Sequence, residues 1–108
     1  MRVYISGAIT FNPDYKEDFA SAETKLTENG IEVFNPAKTD AVLPKCMTYD
    51  EIMKIDLYLL DMCDAIFMLN GWQDSKGAKI ELEHAIKNDK KIYLETDGYY
   101  ISESNLAL

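Results

Sequence analysis

Apolar positions along the chain repeat with two alternating periods. Arg2-Val3-Tyr4-Ile5-Ser6 is a short β-favouring run stopped by Gly7, the pattern of a strand buried on both faces. After the turn-like Asn12-Pro13-Asp14, apolar residues at Tyr15, Phe19, Ala22 and Leu26 mark one face of a helix that Asn29-Gly30 ends. Ile31-Glu32-Val33-Phe34 predicts a second strand, closed by Asn35-Pro36. From Pro36 to Met47 the pattern is irregular and long for a connection in a small domain, as in loops that serve as lids. Thr48-Tyr49-Asp50-Glu51 fits a capping box and starts a helix running to about Met62. Asp64 to Leu69 is the third predicted strand. The loop Asn70 to Ser75 leads into a helix from Lys76 to about Asn88, and Lys91-Ile92-Tyr93-Leu94 is the fourth strand. The tail from Thr96 to Leu108 is expected to add at most a last helical turn.

Strand, helix, strand with tight joints is a right-handed βαβ unit, and its repetition predicts an α/β class. The expected architecture is flavodoxin-like (Rossmann-like): three α/β/α layers around a mostly parallel sheet of four or five strands. Ligands in such folds lie beyond the carboxyl ends of the strands, where strand order reverses. Ser6 to Thr10, the Pro36 to Met47 segment and Asn70 to Gly77 should converge there.

Two acidic residues break the folding pattern. A step of about 100° per residue puts Asp56 in the middle of an inward stripe of Ile52, Ile55, Leu59 and Cys63. A buried, unpaired carboxylate is costly, so Asp56 is either a capping or rim residue or a functional group. On the next helix Ala78, Leu82, Ala85 and Ile86 form the inward face and Glu81 falls at its flank, either solvated or reaching the rim. Asp74-Ser75-Lys76-Gly77-Ala78 combines a helix cap with a glycine at the helix start, where free N–H groups and the helix dipole favour an anion. Neither GxxxxGK[ST] nor GxGxxG is present. Two carboxylates at one cleft suit glycosidic-bond chemistry, one engaging the sugar carbon and the other handling protons; Mg²⁺ binding is the weaker use of such a pair.

Composition narrows the classes. The 108 residues fit a single domain over 1–108, one too small to enclose its site deeply without a partner chain. No apolar run approaches the ~18 residues that span a bilayer, and MRVYISGAIT leads into strand-like sequence without a signal-peptide apolar region, so a cytoplasmic protein without membrane contact is expected. Two isolated cysteines, Cys46 and Cys63, and one histidine, His84, argue against a zinc site or a structural disulfide, and no metal ligand set is assigned. A net charge of −8 opposes binding to duplex nucleic acid.

The runs Tyr4-Ile5-Ser6-Gly7-Ala8-Ile9-Thr10, Lys54-Ile55-Asp56-Leu57, Cys63-Asp64-Ala65-Ile66 and Gly71-Trp72-Gln73-Asp74-Ser75-Lys76-Gly77-Ala78-Lys79-Ile80-Glu81 together resemble the nucleoside 2-deoxyribosyltransferase superfamily, in particular its short branch of uncharacterised phage and bacterial proteins. By position, the resemblance implies Glu81 as the nucleophile at C1′, Asp56 as the carboxyl that assists the base, and Tyr4 as the hydroxyl that holds the nucleophile. It further implies retention of configuration, with the two carboxyl groups about 5 Å apart if Asp56 is also the acid.

Ser75 stands where transferase members carry an aspartate, and is similar to the serine of nucleoside 5′-monophosphate N-glycosidases that holds phosphate. The stretch Gly98 to Ser102 resembles the same hydrolases, in which a serine of a neighbouring subunit, here Ser102, completes the pocket. The arginine those hydrolases carry after strand one has no counterpart in Ile9 to Asn12. Candidate substrate contacts are Gly7, Ile9, Trp72, Ser75, Gly77 and Ser102. Trp72 either stacks on a base or packs at the sheet end or a dimer contact. Ile80, off the inward face, fits a subunit interface, and His84 reads as a surface residue. The implied partner is a nucleoside or nucleotide, bound without a cofactor by a homodimer or higher oligomer. Two readings stay open beside the enzyme: a non-catalytic nucleotide-binding module and an acidic interaction protein.

Overall fold

In a computed structural model of the chain, described here over residues 1–98, β1 (Arg2–Ser6), β2 (Glu32–Phe34), β3 (Ala65–Met68) and β4 (Lys91–Leu94) form one sheet in the order β2-β1-β3-β4. Every pairing is parallel, with Val3 beside Val33, Tyr4 beside Ile66 and Phe67 beside Tyr93. This is the expected α/β fold. Strand order reverses between β1 and β3, so the rim above their carboxyl ends is the crevice such topologies leave for ligands.

The two-residue period of the strands sorts their side chains onto opposite faces. Val3, Ile5, Ala65 and Phe67 pack with Phe19, Ala22 and Leu26 of α1 (Tyr15–Glu28). Tyr4, Ile66 and Met68 pack on the other face with Leu60 of α3 (Tyr49–Asp61) and Ala78, Leu82 and Ala85 of α4 (Lys76–Lys87). The same alternation that gives β1 its core contacts therefore turns Tyr4 and Ser6 toward α4.

Three expectations need correction. The segment after β2 is not irregular throughout: it forms a short helix, α2 (Pro36–Ala41), in which the Asn35 side chain accepts from the Ala37 amide at 3.0 Å. Asn at the cap and Pro in the first turn is a helix start, although the same pair also ends the strand. On α3 the buried side chains are Asp56 and Leu60, while Ile52, Ile55 and Leu59 are only half-buried, because apolar residues nearly encircle this helix and leave its inward face ambiguous. On α4 Glu81 is buried and Ile86 is half-exposed: the face is turned toward the carboxylate. The capping box does form, with Thr48 accepting from the Glu51 amide at 3.2 Å and Glu51 from the Thr48 amide at 2.8 Å. No helix among the described residues is long and apolar enough to cross a membrane.

Candidate active site

Glu81 is 6% exposed, yet both its oxygens are bonded. Oε1 accepts from the Ser6 hydroxyl at 2.7 Å and Oε2 accepts from the Tyr4 hydroxyl, so one strand face holds the carboxyl in one orientation. Burial pushes Glu81 up to about 7, against the Ser6 and Tyr4 hydrogen bonds, which favour the anion, while the Asp40 charge adds to the rise. Tyr4 is pushed well above its ordinary range, first by burial and then by the Glu81 charge, so it remains a donor to the carboxylate.

Asp56 is 4% exposed, and its Oδ1 has no hydrogen-bond partner among the described residues. Burial first, then the neighbouring Asp40 carboxyl, then the Glu81 charge push it up to about 9. Asp56 is therefore a neutral acid at pH 7 while Glu81 is near half ionisation. Two carboxyls held at different proton affinities in one site can divide the roles of acid and nucleophile.

Both open onto a cleft of about 620 Å³, roomy enough for a nucleoside-sized ligand. Its walls include Gly7 and Ile9 after β1, Asp40 of α2, Tyr49 of α3, and Ser75 and Gly77 at the start of α4. The Ser75 hydroxyl accepts from the Ala78 amide at 3.1 Å, which leaves its own proton to donate outward. The amides of Lys76 and Gly77 lie in the first turn of α4 and have no carbonyl a turn earlier to bond. A Cβ at Gly77 would sit 3.0 Å from the Tyr49 hydroxyl, and one at Gly7 would sit 3.0 Å from Leu69 Cβ. Each glycine thus permits a close approach that any side chain would obstruct.

The structure brings Gly7, Ile9, Asp56, Ser75, Gly77 and Glu81 to one cleft, with Tyr4 buried and bonded to Glu81 rather than lining it. Trp72 is not among its walls: it is half-buried in a short 3₁₀ turn and packs against the α3–α4 core. Ser102 lies outside the described residues. His84 pairs with Asp61 at 2.6 Å, away from the cleft.

Sequence reasoning overlooked Ser6, Asp40, Tyr49 and Phe11. Ser6 was in plain sight two positions from Tyr4, on the same strand face. Asp40 was hidden because its segment read as irregular, and Tyr49 because it opens a helix. Phe11 lines the mouth of the cleft with a fully exposed ring and a backbone φ of 62°, a strained conformation for an aromatic residue that no local pattern announces. Among the described residues, no three His, Cys, Asp or Glu side chains are arranged to hold a metal ion.

Residues 1–94 match a family model described as a domain of unknown function, DUF4406. No curated protein matches the sequence. Among solved structures, the 2-deoxyribosyltransferase of Bacillus psychrosaccharolyticus superposes with a TM-score of 0.71 at 21% identity, over 87% of this chain and 71% of that one. The CMP N-glycosidase BcmB of Clostridium botulinum gives 0.62 at 26% identity, over 87% of this chain and 67% of that one. The solution structure of BlsM gives 0.67 at 22% identity, over 86% of this chain and 63% of that one. The fold implied by the sequence resemblance is thus shared with deoxyribosyl-transferring and N-glycoside-cleaving proteins.

Proposed function

The chain belongs to the DUF4406 family, and from that premise we propose that it cleaves the N-glycosidic bond of a nucleoside, a deoxynucleoside or their 5′-monophosphates. The observation that carries this reading is the pair of buried carboxyls at one cleft, Glu81 bonded through both oxygens and Asp56 buried with one oxygen unpartnered among the described residues. A Glu81 oxygen bonds to C1′ of the sugar as the C1′–N bond breaks, and the electron pair leaves with the base. Asp56 gives its proton to the departing base, which would otherwise leave as a poor anionic leaving group. The glycosyl ester on Glu81 is then resolved by water, giving hydrolysis, or by a second base, giving transfer.

Tyr4 and Ser6 hold Glu81 in its attacking orientation. Their hydroxyls stabilise the carboxylate both before attack and when it leaves C1′ again. The start of α4 supports a binding role toward the 5′ end of the sugar: Ser75 and the free first-turn amides suit a phosphate, with Lys76 close by and Gly77 leaving room. Gly7 and Ile9 form the facing wall. Substrate would be held by these groups of the chain, without a cofactor.

The test is incubation with a panel of nucleosides and nucleoside monophosphates, with and without free base, following base release or exchange by chromatography. Release without acceptor assigns a hydrolase, and release only with acceptor assigns a transferase. Glu81→Gln keeps the side-chain shape and removes the nucleophile, so its turnover is expected to fall by about a hundredfold or more. Rapid quench and denaturing mass spectrometry should find the sugar mass on the peptide carrying Glu81. Thermal stabilisation by a nucleotide with no base release would overturn the enzyme reading and leave a binding module.

A further inference from the structure

Asp40 stands outside the machinery just described, although, like Asp56, it has a buried carboxyl oxygen without a partner among the described residues. It is carried on α2, lines the same cleft, and lies within hydrogen-bond reach of Asp56. Asp40 Oδ1 and Asp56 Oδ1 are both buried, and neither has a hydrogen-bond partner among the described residues. Two ionised carboxylates cannot satisfy each other, because each offers only acceptors. One proton between them gives both a partner and leaves one negative charge on the pair.

We infer that Asp40 is a positioning residue: it shares a single proton with Asp56 and so keeps the proposed acid loaded and aimed at the cleft. The inference rests on the glycosidase reading for its purpose, though not for its test. The charged and titratable groups acting on the pair are Glu81 from α4, Tyr4 from β1 and Tyr49 from the start of α3, while Asp74 and Lys76 line the same cleft at the start of α4. No cation is among the groups that shift either carboxyl, so the pair is not held as a dianion by a neighbouring positive charge.

The consequence for turnover follows from proton balance. When the Asp56 O–H proton passes to the leaving ring nitrogen, Asp40 and Asp56 are left as two adjacent anions. Water attacking C1′ then gives one proton to Asp56, its oxygen bonds to the sugar, and the C1′–O bond breaks with the electron pair returning to the Glu81 carboxylate. The pair regains its proton and the cycle closes. Asp40 thus makes Asp56 a stronger base in the second step, at the moment when water must be activated.

The shared proton is tested by carbon NMR of the full-length protein labelled at its aspartate carboxyls, titrated as native protein, as Asp40→Asn and as Asp56→Asn. The expected result is one aspartate carboxyl that stays protonated far above pH 6 in the native protein. In Asp40→Asn that titration moves down by about one pH unit or more, and in Asp56→Asn the remaining partner returns toward the ordinary aspartate range. A native protein in which no aspartate carboxyl titrates above pH 6 overturns the inference whether or not the variants fold. So does a high titration that neither substitution moves. The alkaline limb of kcat/KM supplies the independent arm. Carboxyl shifts without base release would sink the glycosidase reading and leave the shared proton standing; base release with an alkaline limb unmoved by Asp40→Asn would do the reverse.

Discussion

At the scale of single residues, the site depends on unequal proton affinities. Glu81 must be ionised to attack, so turnover falls as pH drops through about 7; Asp56 must be protonated, so turnover falls again as pH rises through about 9. The expected kcat/KM profile is a bell with its top near pH 8, read from initial rates of base release. Ser6→Ala removes a donor that favours the Glu81 anion. Its acid limb should therefore move to higher pH, and an unchanged or lowered limb would show that the hydroxyl does not act on the carboxylate. Asp56 stood out in the sequence because a carboxylate interrupts an apolar stripe, whereas Glu81 lay at a helix flank and Tyr4 entered only through the family resemblance. The sequence did not disclose Ser6 or Asp40, since a small hydroxyl in a strand and an aspartate after a proline have ordinary structural uses that one sequence cannot separate from chemistry.

Among the elements, the start of α4 joins stability to binding. Ser75 caps this helix through the Ala78 amide, and loss of such a cap costs about 1 kcal/mol. Ser75→Ala should therefore lower the denaturant midpoint modestly while weakening 5′-monophosphates more than free nucleosides, as measured by KM for matched pairs. Equal weakening of both would confine the serine to capping. Boundaries of α1, α4 and β4 were legible because their periodic faces are long or bounded by clear caps. The orientation of α3 was not, because leucines at 57, 59 and 60 supply competing apolar faces, and only packing against Tyr4 and α4 selects one. The short helix α2 was missed for a related reason: Asn-Pro marks both the end of a strand and the beginning of a helix, and the sequence alone does not choose.

For the molecule as a whole, the buried acids link its pH stability to its proposed work. In the folded state Asp56 holds its proton up to about 9, whereas its ordinary value is 3.8, and Glu81 holds its own up to about 7 against 4.5. Between those limits the folded chain binds more protons than the unfolded chain, so both groups make stability fall as pH rises, Glu81 across pH 4.5–7 and Asp56 across pH 3.8–9. Asp64 and Glu51, held low by the Arg2 and Thr48 backbone amides, contribute in the opposite sense, but their gain is complete before neutral pH. Calorimetric Tm should thus decline from pH 6 to pH 9, and Asp56→Asn should flatten that decline; an equally steep slope in the variant would mean that Asp56 titrates normally. The α/β topology was readable from alternating periods, and so was the rim where strand order reverses. The way Asp40, Asp56 and Glu81 share one hollow was not, because it arises from α2, α3 and α4 meeting over the sheet.

The alternation along β1 sets a rule of parity for descent with change. Val3 and Ile5 face α1 while Tyr4 and Ser6 face Glu81. Inserting or deleting one residue within this strand would exchange the two sets, setting aliphatic groups against the carboxylate and hydroxyls against the oily layer. Relatives that vary in length should therefore do so outside this stretch, leaving its inner count untouched.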